Sequence, residues 1–349
     1  MVNVFVPADT DAHPYLTLLY STLRRYIQIT DVKNKKDALH KLKFLIEADI
    51  IHLHWIEHYI HGRNIISTVL KLMLFLTSLI LLKLLRKRIV ITLHNVVPHE
   101  KKHAVLGALG FKISLHLTDA IIVHNRWSEK EARRIYGIEK EKIYIIPHGN
   151  FIGYYPNEIS REEARKILNI PNDAFVILYF GKIKRYKGLN TLISALNGLE
   201  DIWILICGEP KDENIKEDLL KFARSFKNCI LKLEYIPNED IQVYMNASDI
   251  GILPYEEITT SGTLLLFSSF GKTVIVPNFE PIKEIARDTV IYYDGSTEGL
   301  RESILKSRSE RLDRLSRRIY KESKKYSWEK IAAMTKQLYQ KIVKECVEL

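Results

Sequence analysis

Cysteine is scarce: 349 residues contain three, Cys207, Cys229 and Cys346. They are too few and too scattered for a disulfide framework or a zinc knuckle, so a reducing cytoplasm is expected. The opening stretch, MVNVFVPADTDAH, has no basic segment followed by an apolar core, so no secretory signal is expected. Also missing are tandem repeats, low-complexity tracts, a Walker loop and any recognised nucleic-acid motif, so nucleic acid is not expected as a partner. Histidines are numerous, but their spacing matches no metal template, so neither a metal nor another cofactor is expected. What is present, 46% hydrophobic and 27% charged residues, excludes wholesale disorder, collagen-like repeats and a polytopic membrane protein. The length fits two domains of roughly 150–180 residues.

The formal net charge is +10, and residues 301–349 carry 14 basic and 7 acidic side chains. There Arg311, Arg314, Arg318, Lys321 and Lys325 recur at helical spacing beside the apolar Leu312, Leu315 and Ile319. This stripe reads as a solvated helix face, as a contact for anionic lipid headgroups, or more distantly as a nucleic-acid contact. The segment from Ile65 to Leu85, followed by Arg86, Lys87 and Arg88, is long enough to span a bilayer. Lys71 and Lys83 interrupt it, and the strands on either side look like parts of one sheet. It is therefore expected to be a crossover helix, buried or lying on a membrane surface.

Short apolar runs alternate with helical patterns in two blocks. Val2–Val6, Ile50–His54, Ile89–His94 and Ala120–His124 read as buried strands, separated by helical stretches at Pro14–Tyr26, Lys35–Glu47 and Asn64–Leu85. In the second block the strands are Phe175–Phe180, Ile202–Cys207, Ile230–Leu233, Asp249–Leu253 and Thr273–Val276. Its helices are Leu189–Leu196, Glu213–Phe226, Glu239–Ala247, Thr263–Phe270 and Glu298–Lys306. Ser160 and Glu163 form a capping box for a short helix between the blocks. The pattern predicts an α/β protein of two Rossmann-like, doubly wound parallel-sheet domains facing a central cleft. The expected division is residues 1–155 and 156–326, with a closing helix over 327–345 returning to the first domain.

Ligands of such sheets bind beyond the carboxyl ends of the strands. After Phe175–Phe180 comes Gly181-Lys182-Ile183-Lys184-Arg185-Tyr186-Lys187-Gly188, a glycine-bracketed cationic loop suited to a diphosphate. After Asp249–Leu253, Thr260, Ser261, Gly262 and Thr263 form a second helix start, preceded by Glu256 and Glu257, which can accept hydrogen bonds from sugar hydroxyls. In the first block, Thr92-Leu93-His94-Asn95 ends a strand with groups suited to hydrogen bonding or proton transfer. His52, His54, His58 and His61 cluster nearby with Trp55 and Glu57, and His99 and His103 follow.

With these residues in hand, the chain resembles the GT-B nucleotide-sugar glycosyltransferases, family 4 (glycosyl transferase group 1), over nearly its whole length. Gly181-Lys182-Ile183 through Lys187-Gly188 looks like the family's Gly-Arg-Leu…Lys-Gly donor loop, with Lys182 in place of the Arg. Ile206-Cys207-Gly208-Glu209, Tyr235-Ile236-Pro237, Ala247-Ser248-Asp249 with Pro254, and Gly271–Ile275 with Glu284 resemble further donor-domain elements. His54, Thr92-Leu93-His94 and Ile146-Pro147-His148-Gly149-Asn150 resemble elements of the first domain, and Ser327-Trp328-Glu329 the start of the closing helix. Two features depart from the family. Of its paired glutamates, the second falls at Leu266 and the first at Ile258, or at Glu257 with a one-residue shift. Pro7–Pro14 stands where a glycine-rich loop follows the first strand.

The resemblance implies transfer of a sugar, mannose from GDP-mannose being the leading donor, to a hydroxyl of a lipid-linked or growing glycan. His94 and Glu257 would be catalytic, with the donor on Gly181, Lys182, Lys187, Glu209, Tyr235, Glu256, Thr260, Ser261, Gly262 and Thr263. Asp11, His13, His54 and Asn95 would lie on the acceptor side, and an inverting enzyme would draw its base from Asp11, Glu57, His94 or Glu100. The enzyme is expected in the cytoplasm, peripheral on the inner face of an anionic membrane. The departures leave two other readings open: an epimerase or hydrolase of nucleotide sugars on the same fold, and a non-catalytic nucleotide-sugar or membrane-surface binding protein.

Overall fold

The computed structural model describes residues 2–32, 38–96 and 104–344. His99, Glu100, His103 and Cys346 lie outside them. The chain divides into two compact units, Met1–Gly149 with Tyr326–Leu349, and Asn150–Lys325. The boundary thus falls after Gly149, a few residues ahead of the expected position.

Unit 1 runs β1 (Asn3–Val6), α1 (Pro14–Leu23), β2 (Gln28–Asp31), α2 (Ala38–Glu47), β3 (Ile50–His54), α3 (Glu57–Ile60), α4 (Ile65–Leu84), β4 (Arg88–Thr92), α5 (Ala104–Leu117), β5 (Ala120–Val123), α6 (Arg126–Tyr136) and β6 (Ile143–Ile145). Its strands form one parallel sheet in the order β2-β1-β3-β4-β5-β6. Side chains alternate between the two faces, as the period of two requires. Phe5, Ile51, Leu53, Ile89, Ile91 and Ile121 join the core under α4 and α5, whereas Val4, Val6, Ile50, Val90 and Ile122 join the core on the other face.

Unit 2 runs α7 (Arg161–Ile167), β7 (Phe175–Phe180), α8 (Leu189–Leu196), β8 (Ile202–Cys207), α9 (Glu213–Ser225), β9 (Cys229–Lys232), α10 (Ile241–Ala247), β10 (Ile250–Ile252), α11 (Gly262–Ser269), β11 (Val274–Pro277), α12 (Glu280–Ala286), β12 (Ile291–Tyr293), α13 (Thr297–Ser307) and α14 (Leu312–Ser323). Its parallel sheet has the order β12-β11-β10-β7-β8-β9. The Ser160–Glu163 capping box forms as expected. The last helix, α15 (Trp328–Lys344), returns to unit 1, where Trp328, Ile331 and Tyr339 are buried with α1.

Three aspartates, each immediately preceding a strand, pin the strand starts. Asp49, Asp119 and Asp249 each donate a backbone N–H to the carbonyl of a neighbouring-strand residue, Asn3, Ile89 and Val176, all at 2.9 Å. Their carboxylates accept the N–H of the same three residues at 2.8, 2.8 and 2.7 Å. Two of them also gather cations. Asp119 holds Lys83 and Arg88 at 2.7 and 2.8 Å, and Asp249 holds Arg161 and Arg165 at 3.0 and 2.8 Å. Burial works against ionisation of Asp119, yet Lys83, the Ile89 N–H and Arg88 hold its carboxyl below the usual range. Arg165 is fully buried, and its guanidinium also donates to the carbonyls of Ala247, Pro171, Asn172 and Ala174.

The segment Ile65–Leu84 is the crossover helix that the charge interruptions predicted. The strands it joins, β3 and β4, are paired in register from Ile50↔Arg88 to His54↔Thr92, so it does not span a bilayer. The basic stripe is α14: Ile319 is buried, Arg311 and Arg314 are exposed, and Arg318 pairs with Asp288.

Removing one partner of a buried ion pair leaves the other uncompensated, which costs about 3–5 kcal/mol. Asp249→Ala, which strands Arg165, is expected to lower the stability of unit 2 by about that much in a denaturant titration. Glu131→Ala, which breaks the exposed pair with Arg134, is expected to change it by about 0.5 kcal/mol or less.

Candidate active site

Where a doubly wound sheet reverses direction, the loops following the two central strands splay apart and leave room for a ligand. In unit 2 the reversal lies between β7 and β10, so the loops at stake are Gly181–Gly188 and Leu253–Ser261. They are pressed together. Glu256 N–H donates to the Tyr186 carbonyl at 2.9 Å, and a Cβ at Gly188 (φ +68°) would collide with the carbonyl of Pro254. Gly181 (φ +112°) passes so close to the second loop that a Cβ there would lie 3.2 Å from Thr263 Oγ1 and 3.6 Å from Lys187 Nζ. Glycine is needed at both positions.

Lys187 is the electrostatic centre of this site. Its ammonium stands over the Tyr255 ring, 5.8 Å from the centroid, and has no ion-pair partner among the described residues. Burial, and then the like charges of Lys184 and Lys182, lower its pKa to about 8. Beside it α11 begins. Ser261 caps the helix by accepting the Leu264 N–H at 2.9 Å and pairs with the Tyr255 hydroxyl, also at 2.9 Å. The N–H groups of Gly262 and Thr263 have no partner within the helix, as at any helix start. The buried Thr260 Oγ1 and Tyr179 hydroxyl find no protein partner among the described residues. A cation, an open helix start and two orphaned hydroxyls suit a phosphorylated, hydroxyl-rich ligand.

The other expected donor residues are placed less centrally. Lys182, Glu256 and Glu257 are exposed on the two loops, Glu209 is tied to Lys211 at 2.6 Å, and the Tyr235 ring is 71% exposed. Leu266 is buried in α11, so no carboxylate occupies that position. Tyr179 and Tyr255 were not anticipated, because nothing in their local sequence separates them from core tyrosines. A 740 Å³ cavity lined by Arg161, Lys272 and Arg314 lies at the opposite ends of the strands, away from these loops.

In unit 1 the reversal lies between β1 and β3, followed by Pro7–His13 and by Trp55. Here the imidazoles do not form a metal cluster; they form a hydrogen-bonded chain. The Ile146 carbonyl can only accept, so His124 Nδ1, 2.9 Å away, carries the hydrogen and leaves Nε2 as an acceptor. His94 Nδ1 then donates to His124 Nε2 at 3.3 Å, and His54 Nδ1 donates to His94 Nε2 at 3.1 Å. His54 Nε2 in turn accepts the Tyr20 hydroxyl at 2.6 Å. Further along, His52 Nε2 meets Thr92 Oγ1 at 2.8 Å. Desolvation depresses His52 to about 3, His124 to about 4 and His148 to about 3, and His54 and His94 are also held well below the usual range by burial. His94 is thus a neutral imidazole with both nitrogens engaged. Trp55, in the left-handed backbone region at φ +45°, stacks on it at 4.2 Å and 10°.

His13 caps α1 through Nδ1, which accepts the Tyr15 N–H at 3.2 Å, and its ring lies 4.7 Å from Trp55. Asp11 is exposed and Asn95 partly buried. The expected cluster of four histidines divides, because His58 and His61 lie off the chain; His61 packs against Gly107. The positive φ of Trp55 and the long-range partners Tyr20, His124 and Tyr339 left no local signal in the sequence. Among the described residues no group of three or more His, Cys, Asp or Glu is arranged to hold a metal ion.

Two six-stranded parallel sheets, each with long loops at its reversal point, give this protein the α/β architecture of the GT-B fold. HepE of Anabaena, solved with UDP, matches 98% of this chain and 100% of its own at a TM-score of 0.75 and 14% identity. A sucrose-phosphate synthase of Thermosynechococcus elongatus matches 98% of this chain and 99% of its own at a TM-score of 0.76 and 14% identity. Among curated relatives, a GDP-mannose:glycolipid 4-beta-D-mannosyltransferase of Xanthomonas campestris pv. campestris is 26% identical over 295 residues, 82% of this chain and 77% of its own. Residues 160–326, just under half of this chain, match the family described as glycosyl transferases group 1.

The neutral histidines make the fold acid-sensitive. In the unfolded chain each imidazole takes up a proton below about pH 6.5, whereas in the folded chain burial delays this to about pH 4 or lower. Stability is full above pH 6.5 and is lost as the pH falls, by about 2 kcal/mol per imidazole at pH 5. Denaturant midpoints measured from pH 7.5 down to pH 5 are expected to fall steeply; a flat profile would contradict the neutral assignment.

Proposed function

We propose that the protein transfers a sugar from a nucleoside diphosphate sugar to a hydroxyl of a lipid-linked or growing glycan. One observation carries this reading: a partly buried ammonium, Lys187, has no counter-charge among the described residues and stands beside the start of α11. As the sugar–phosphate bond breaks, negative charge grows on the departing diphosphate, and fixed positive charge at that point lowers the barrier. Lys187, the N–H groups of Gly262 and Thr263, and Thr263 Oγ1 would hold the diphosphate, with Lys182 adding field from solvent. Cations in these positions take over the electrostatic task of a metal ion, so transfer is proposed to need no metal. Glu256 and Glu257 would meet sugar hydroxyls. The name of the Xanthomonas relative supports GDP-mannose as donor and a glycolipid as acceptor.

In unit 1, the depressed basicity of His94 and the engagement of both its nitrogens by His54 and His124 argue against a general-base role and make it a positioning residue of the acceptor side. His13, Asp11, His54 and Asn95 would line the same acceptor side. The surface of α4 and α5 supports attachment to the inner face of the membrane. Ile66, Leu70, Met73 and Leu84 on α4 and Val105 on α5 are all exposed apolar side chains. Residues 58–118 contain nine Lys and Arg and one acid, a net +8. An apolar face within a strongly positive segment suits anionic lipid.

Lys187→Ala is expected to abolish stabilisation by nucleoside diphosphates in a thermal-shift assay and to lower kcat about 10²–10³-fold, with Lys182→Ala milder. Wild-type binding and turnover in Lys187→Ala would reject the diphosphate assignment. Leu70→Ser with Met73→Ser is expected to release the protein from phosphatidylglycerol vesicles in co-sedimentation without changing nucleotide binding.

A further inference from the structure

We propose that unit 1 carries a slot for the aliphatic chain of a membrane lipid, opening onto the exposed face of α4. The proposal rests on the membrane-surface reading above and deepens it. Between α2 and α4 a cavity of about 370 Å³ opens over the sheet. Its floor is Phe5 of β1 with Ile51 and Leu53 of β3, and its wall on α4 is Phe75, Leu79 and Leu82. Apart from His58, Tyr59, Lys71 and Ser78 the lining is apolar, so the floor and the α4 wall offer water few partners and suit an apolar ligand.

The mouth identifies the occupant. Leu74 lines the cavity and is 71% exposed, so the slot is continuous with the apolar strip that faces solvent. Lys71 and Ser78 also stand at the mouth, and Lys71 Nζ is held 3.0 Å from the His61 carbonyl. An ammonium beside an apolar slot matches a lipid with an anionic headgroup and a hydrocarbon tail. A second copy of this chain is disfavoured as occupant, because it would bring the same +8 segment against itself.

The test uses dansyl-labelled undecanoic acid and the full chain without vesicles. Saturable binding is expected, weakened at least tenfold by Ser78→Trp, which narrows the mouth from an exposed position. Leu70→Ser with Met73→Ser is expected to leave probe binding intact while reducing vesicle co-sedimentation. A diazirine-bearing fatty acid, photolysed on the wild-type protein, is expected to label the floor strands around Phe5 and Leu53, a readout independent of the folding of any variant. Labelling confined to α4, equal probe binding by Ser78→Trp, or a concentration-dependent dimer that blocks the probe would each overturn the slot. Thermal shift with nucleoside diphosphates, run on the same samples, separates failure of the slot from failure of the transferase reading.

Discussion

The carboxylates at the strand entrances organise both halves of this molecule. A parallel strand shifted by one residue would turn every side chain to the wrong face. Asp49, Asp119 and Asp249 prevent this by exchanging two hydrogen bonds with the start of a neighbouring strand. With the entrances pinned, the exits fall in fixed positions, and every candidate functional group sits at an exit. Precision is invested at one end of each sheet and used at the other.

The two ends that do the work differ in electrostatic character. In unit 2 burial, and then the like charges of Lys184 and Lys182, loosen the hold of Lys187 on its proton. In unit 1 burial strips charge from five imidazoles and leaves a polar but neutral wall. A cationic pocket suits a diphosphate; a neutral, hydrogen-bonding wall suits hydroxyls, which it can orient without binding a stray anion. The division of labour follows from which side chains are desolvated and which are left facing like charges.

Much of this was legible in the sequence. Short apolar runs marked the buried strands, and Ile50–His54, Phe175–Phe180 and Ile202–Cys207 match residue for residue. Glycine-bracketed loops at strand ends pointed to the loops that the fold brings together beside Lys187. The edge strands Gln28–Asp31 and Ile291–Tyr293 and the short Ile143–Ile145 were not anticipated, because three or four residues, partly polar, carry little periodicity. The histidines were recognised as a group, but their pairing depends on Tyr20 of α1 and on Ile146, which only the tertiary fold brings near. Leu266 shows the converse: a family motif position read from spacing is a core residue here.

The return of α15 to unit 1 has a consequence for how the chain matures. Unit 2, residues 150–325, is a continuous insertion between two stretches of unit 1, and its ends are held together where Asn150 Nδ2 donates to the Ser323 carbonyl at 2.8 Å. During synthesis unit 2 has all its parts before unit 1 does, since Trp328, Ile331 and Tyr339 of the unit 1 core emerge only after residue 325. The half that bears the histidine chain therefore stays an open, unfinished core until α15 has emerged, and a nascent chain stalled near residue 325 would present a finished unit 2 beside an incomplete unit 1.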